Sequence, residues 1–245
     1  DIVQFNNSQN SVKIWSVRSV DDTQERLRSD FEKYAIQYTP KQEGSKKKKD
    51  GQKIIELDKL TQFLASGRSE YLIQAINAKT ELFDQPYQNL FTHDIKAEVI
   101  YLYWRMGMIA DRLRQDRLAQ LKEEDTDKVS SALLGVSGTY WIVYCTNKLV
   151  SSENKTIAAQ LRLDKQKGDD FEGALEKYVA HALDMYFDVA IDTYDDETYG
   201  SVRSALRSPR FLQKFDQKLN NKLASKVKSI KLPSLSHAIK SAKAD

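Results

Sequence analysis

A chain of 245 residues can build one large core or two small ones. Apolar residues make up 40% and charged residues 30%, against only nine glycines and four prolines, which suits a helical protein with a charged surface and argues against a turn-rich all-β sandwich. Net charge is +3 but unevenly spread: Ser201 to Asp245 holds eleven Lys or Arg against two acids, a surplus of nine, so the first 200 residues carry minus six. Such asymmetry means either a polyanion partner or an acidic and a basic helix packed together.

The polar opening through Asn10 precedes Val12-Lys13-Ile14-Trp15 and Val17-Arg18-Ser19. Ser19 followed by Asp22 reads as a capping box, opening an amphipathic helix with Val20, Leu27, Phe31 and Tyr34 on one face. Ile36 to Thr39 reads as a short strand ended by Pro40. Ile54 and Ile55 would then be the returning strand of a small hairpin across a mobile, lysine-rich loop from Lys41 to Lys53. Helices follow at Asp58–Ala65 and Ser69–Asn77, then a loop from Phe83 through Pro86 to Phe91.

Thr92 caps a long helix from Asp94 to about Glu123, whose run Val99 to Trp104 is apolar all round and marks a central helix. Asp125 caps the next helix, ending near Ser151. The stretches Asn154 to Lys165 and Asp169 to Tyr194 are also helical, and Ser208-Pro209 starts a last helix running to Ser229. The fold class is therefore mainly α: a small mixed α+β front at residues 1–57 and an all-helical body at residues 58–245.

The uncharged stretch Val129–Asn147 is about long enough to span a bilayer. Its Ser130, Ser131, Gly135, Ser137, Gly138, Thr139 and Thr146 make it a buried core helix instead, and no membrane partner is expected. Gly135 and Gly138 would let a neighbouring helix approach closely. Cys145, the single cysteine, cannot form an internal disulfide, so the expected compartment is cytoplasmic. There is no signal peptide, and the start at Asp1 without Met suggests a fragment.

No complete active site can be read from the chain. His93, His181 and His237 are far apart in sequence, and phosphate-loop, dinucleotide and nucleophile-elbow motifs are all missing. No cofactor and no metal are expected. Asp184, Asp188 and Asp192 share one helix face with His181, and three readings compete for it: a divalent cation, a basic helix opposite, or solvent.

In the last helix Arg210, Lys214, Lys218, Lys222 and Lys226 step by four beside an apolar stripe of Phe211, Phe215, Leu219, Leu223 and Val227. That basic flank would follow a phosphate backbone, be solvated, or face the acidic helix. The lysines at 46–49 read as a solvated loop. Asn7, Gln9 and Asn10, followed by Lys13 and Arg18, combine carboxamides and cations that either scaffold a loop or recognise a base edge or ribose.

The string Asn6-Asn7-Ser8-Gln9-Asn10-Ser11-Val12-Lys13-Ile14-Trp15, then Arg18-Ser19 and Asp22-x-Gln24-x-x-Leu27, resembles the abortive infection phage resistance (AIPR) family. So do Tyr38, Lys41 and Gly44, then Lys79-Thr80-x-Leu82-Phe83, Tyr87 and Leu90-Phe91, so that the resemblance covers about residues 1–92. It implies the C-terminal portion of a bacterial anti-phage defence protein, with an upstream region completing any site. The expectation is a non-catalytic part that recognises nucleic acid or nucleotide and supports assembly, with the upstream domain and a homo-oligomer as further partners. Its binding residues would be Asn7, Gln9, Asn10, Lys13, Arg18, Arg210, Lys214, Lys218 and Lys222. The rivals are part of a nuclease, with ligands such as Asp21 or Asp22, and a purely structural oligomerisation module.

Overall fold

Two apolar residues a helical turn apart anchor the front of the chain: Leu27 and Phe31 point inward from α1 (Asp22–Glu32) and are fully buried. The computed structural model describes residues 18, 20–39, 54–123, 128–153 and 169–226. The helix begins later than the capping-box reading places it. Asp21 is the N-cap, its carboxylate accepting from the Gln24 amide at 2.9 Å, while Val20 is left exposed.

The C-terminal end of α1 wraps into a Schellman turn. The Ile36 amide donates to the Phe31 carbonyl and the Ala35 amide to that of Glu32, with Ala35 in the left-handed region at φ +54. A Cβ is strained there and glycine is not. Ala35→Gly should therefore raise stability by about 1 kcal/mol, read as a melting temperature higher by roughly 2–4 °C. An unchanged or lower value contradicts this cap geometry.

Strands β1 (Gln37–Thr39) and β2 (Ile54–Glu56) pair in parallel, with Tyr38 opposite Ile55, which corrects the expected hairpin. A hairpin turns its strands antiparallel, whereas parallel pairing needs a return connection of about a dozen residues or more, and residues 40–53 supply that length. β2 leads directly into α2 (Leu57–Ser66), followed by α3 (Ser69–Asn77). The expected loop after it holds a 3₁₀ turn (Lys79–Phe83) and a short helix α4 (Gln85–Leu90), with Pro86 in its first turn, where the missing N–H costs no helical bond.

Helix α5 (Ala97–Glu123) lies at the centre, with α2, α7 (Val136–Glu153) and α8 (Asp169–Thr193) packed around it. It starts three residues after Asp94, because Thr92 closes a turn with Ile95 first. The chain expected as one helix from Asp125 to Ser151 is broken between α6 (Lys128–Leu133) and α7. The carbonyls freed at this break are taken up by side chains from neighbouring helices. Tyr186 Oη donates to Leu133 at 2.7 Å, and Arg114 Nη1 to Leu134 at 2.7 Å.

Beyond the break, α7 buries Trp141 through Cys145 completely, and among the described residues no helix is long and apolar enough to cross a membrane. The close helix approaches fall elsewhere than Gly135 and Gly138. Gly107 on α5 lies against the Phe63 ring, and Gly67 lies against Tyr103. Gly138 leaves room for the Leu133 carbonyl at the break, with Arg114 and Tyr186 beside it.

Two short helices, α9 (Asp196–Tyr199) and α10 (Val202–Ala205), lead into α11 (Pro209–Lys226). As the sequence predicts, Ser208 caps α11, its hydroxyl accepting from the Phe211 amide at 3.4 Å. One continuous core joins the front segment to the body across residue 57, with Leu27, Phe31 and Ile55 in the same cluster as Leu60 and Phe63. The helix expected at Asn154–Lys165, the lysine-rich loop, Asp125, Val227 and His237 lie outside the described residues.

Candidate functional site

The acidic and basic helices meet. Helix α8 turns Leu175, Tyr178, Val179, Ala182, Tyr186 and Val189 into the core, which leaves Asp184, Asp188 and Asp192 outside. Helix α11 buries Phe211, Phe215, Leu219 and Leu223 against it and runs antiparallel. Lys222 Nζ then lies 2.5 Å from Asp188, and Lys218 Nζ lies 2.8 Å from Asp192 and donates to its backbone carbonyl at 2.5 Å. These pairs line a groove with Val189 and Asn221. Asp184 is exposed and has no ion pair among the described residues.

Of the competing readings for the acidic face, contact with the basic helix therefore describes Asp188 and Asp192. Among the described residues no group of three His, Cys, Asp or Glu side chains is placed to hold a metal. The other end of α8 is clasped by α5. Arg105 grips Glu172 with a fork at 2.6–3.0 Å, and Arg112 reaches Glu176 at 2.8 Å. The acids of α8 serve as counterions to cations of both neighbours.

This arrangement divides the cations of α11. Lys218 and Lys222 are spent on α8, while Arg210 and Lys214, two turns and one turn earlier, are exposed and meet no carboxylate among the described residues. The two lysine pairs are themselves partly solvated, with aspartate side chains 71% and 60% exposed. Together they contribute about 1 kcal/mol. Lys218→Gln with Lys222→Gln should lower the melting temperature by roughly 2–4 °C, and added salt should narrow the difference from wild type. A salt-independent difference would contradict the pairing.

Arg18, the one described residue of the predicted opening site, is tied into the fold. Its Nε donates to the Phe83 carbonyl at 3.2 Å and its guanidinium stacks 5.0 Å over the Tyr87 ring. Asn7, Gln9, Asn10 and Lys13 lie outside the described residues. Below Arg18 runs a buried polar chain. Tyr38 donates to the Gln24 side-chain oxygen, the Gln24 amide donates to Tyr87 at 2.8 Å, and Tyr87 donates to Asp21 at 2.6 Å. Burial, then the Asp21 carboxylate, pushes the Tyr87 hydroxyl far above its ordinary value, so it stays a donor.

With one oxygen capping α1 and the other accepting from Tyr87, Asp21 has little left to offer a metal in the nuclease reading. Elsewhere Tyr144, Lys148 and Asp216 form a tight group. Tyr144 donates to Asp216, and Lys148 lies 2.9 Å from the same carboxylate. Burial and the Asp216 bond push the Tyr144 hydroxyl up. Burial also pushes Asp216 up, but the bonds from Tyr144 and Lys148 outweigh it and hold the carboxyl below its usual range. Neither group is poised to move a proton near neutrality. Burial likewise raises the Cys145 thiol, whose side chain is fully enclosed in the core.

Comparison with protein-family models, curated proteins and solved structures gives no match to this chain.

Proposed function

We propose that this chain is the non-catalytic, helical C-terminal portion of an AIPR-like bacterial anti-phage protein, one that contacts nucleic acid through α11 and supports assembly with an upstream domain. The observation that carries the reading is the division of α11. Arg210 and Lys214 are held exposed on a helix whose Lys218 and Lys222 already have acidic partners. Cations with no internal counterion gain most from a polyanion, and an arginine suits phosphate in particular.

The defence setting comes from the resemblance, and one further observation supports it. Among the described residues of those blocks, Gln24, Tyr38 and Tyr87 are joined by hydrogen bonds, and Leu27, Leu82, Phe83, Leu90 and Phe91 are buried in the common core.

The test is a titration of the chain with nucleic acid at several salt concentrations. Binding should be present at low salt, with log affinity falling linearly against log salt. Arg210→Gln with Lys214→Gln should flatten the slope by about two contacts' worth. Wild-type chain that binds neither DNA nor RNA at low salt overturns the proposal.

A further inference from the structure

Upstream of α11 the basic face continues onto residues that do not belong to its four-residue stripe. From Val202 to Phe215 the inward positions are fixed: Val202, Ala205, Leu206, Phe211, Leu212 and Phe215 are all buried. The outward side of the same stretch carries Arg203, Arg207, Arg210 and Lys214, all exposed. None of the four forms an ion pair with a described residue. The nearest acids in sequence are Asp216 on α11, which is taken by Tyr144 and Lys148, and those at α9. Asp195 caps its own helix and Asp196 accepts from Tyr194 at 2.7 Å, while Glu197 is exposed.

The corner between α10 and α11 is also pinned. Two successive carbonyls there are taken by side chains from two different helices: the buried Trp141 indole donates to Leu206 at 3.1 Å, and Asn77 donates to Arg207 at 3.0 Å. Trp141 in turn packs edge-on against Phe211 and Phe215. The backbone that carries the arginines is therefore held from α3 and α7, and less ordering entropy is lost when a ligand engages them. Among the described residues, the large aromatics Phe211 and Phe215 of the corner face inward, and Tyr199 is turned edge-on against Phe211, so none of the three is offered as a platform for stacking unpaired bases.

We infer that Arg203 and Arg207 join Arg210 and Lys214 in a rigid cationic corner that holds the phosphodiester backbone of duplex nucleic acid without reading its bases. The inference rests on the nucleic-acid reading above and adds to it two residues and the form of the ligand. Guanidinium forks bind phosphate oxygens in pairs, and contacts to the backbone alone carry no sequence information.

The experiment compares the whole chain, Arg203→Gln/Arg207→Gln and Lys96→Gln/Lys177→Gln, in binding to a short duplex DNA, the single strand of that duplex, and vesicles containing phosphatidylserine. Lys96 and Lys177 are exposed on α5's approach and on α8, so their variant removes the same charge far along the chain from the corner. The arginine variant should lose about two units of salt slope, so that its affinity falls roughly tenfold less than wild type between 50 and 200 mM salt. The lysine variant should track wild type, and two duplexes of different sequence should bind alike.

Wild-type binding with both variants equal overturns the inference and leaves the nucleic-acid reading intact, whereas no wild-type binding to duplex or single strand ends both. A single strand bound as tightly as the duplex, or vesicles bound in preference to either, also overturns the corner's assignment to duplex.

Discussion

Replacing Arg114 with methionine should lower the free energy of unfolding by about 3 kcal/mol, a fall of roughly 6–12 °C in melting temperature. The side chain is only 7% exposed, and every arm of it is used. Nη1 serves the Leu134 carbonyl at the break between α6 and α7, Nε donates to Thr139 at 2.9 Å, and Nη2 pairs with Asp111 at 2.9 Å. Methionine fills much of the volume but leaves a buried carbonyl without its donor and a half-buried carboxylate without its nearer cation, with only Lys59 left at 3.8 Å. The mutation thus acts on the point where the chain changes helix.

Its pH dependence identifies the cause. Burial pushes the Asp111 carboxyl up, but the hydrogen bonds from Arg114 and Thr139 outweigh it and hold it below the usual range. A depressed carboxyl contributes stability that is present above its unfolded value, about 3.9, and lost as pH falls through its folded value. The deficit of the variant should therefore shrink below about pH 4. A loss under 1 kcal/mol would mean the break is held by something else, and a deficit independent of acid would mean the Asp111 pair contributes nothing to it.

Gly107→Ala should also destabilise, by about 2–3 kcal/mol, although alanine is the better helix former by about 1 kcal/mol. The clash outweighs the propensity because a Cβ at this position falls on the body of the Phe63 ring rather than on a flexible tip. The ring has little room to retreat. It is fully buried, 5.9 Å from the Trp104 ring and 6.3 Å from Tyr140, with Lys59 over its face. Phe63→Leu should relieve the clash, so the double variant should be more stable than the sum of the singles by at least about 1 kcal/mol. Strict additivity in unfolding experiments would show that α2 and α5 do not meet here.

Much of this architecture is legible before any coordinates. The spacing of Leu27 and Phe31, the apolar face of α8 and the Ser208-Pro209 start each follow from local rules and agree with the fold. What is not legible depends on partners distant in sequence. Tyr38 and Ile55 announce two strands, but not that they run parallel. An apolar stretch containing Gly135 gives no sign that the helix breaks there, because the carbonyls set free are satisfied by Arg114 and Tyr186 from other helices. On α11 the four-residue period treats Arg210, Lys214, Lys218 and Lys222 alike, yet only the last two lie opposite acids of α8. Arg203 and Arg207 stand outside that stripe, so periodicity passes over them, and the pairing of Arg105 and Arg112 with α8 leaves no local mark.

The split between structural and free cations on α11 is open to direct measurement. The most direct measurement is the salt slope of duplex binding for Arg210→Gln/Lys214→Gln set beside Lys218→Gln/Lys222→Gln, with the melting temperature of each. The first pair should flatten the slope by about 1.8 and leave the melting temperature within about 1 °C of wild type. The second should lower the melting temperature while keeping the slope. The opposite pattern, with Lys218 and Lys222 carrying the slope and Arg210 and Lys214 carrying the stability, would contradict it.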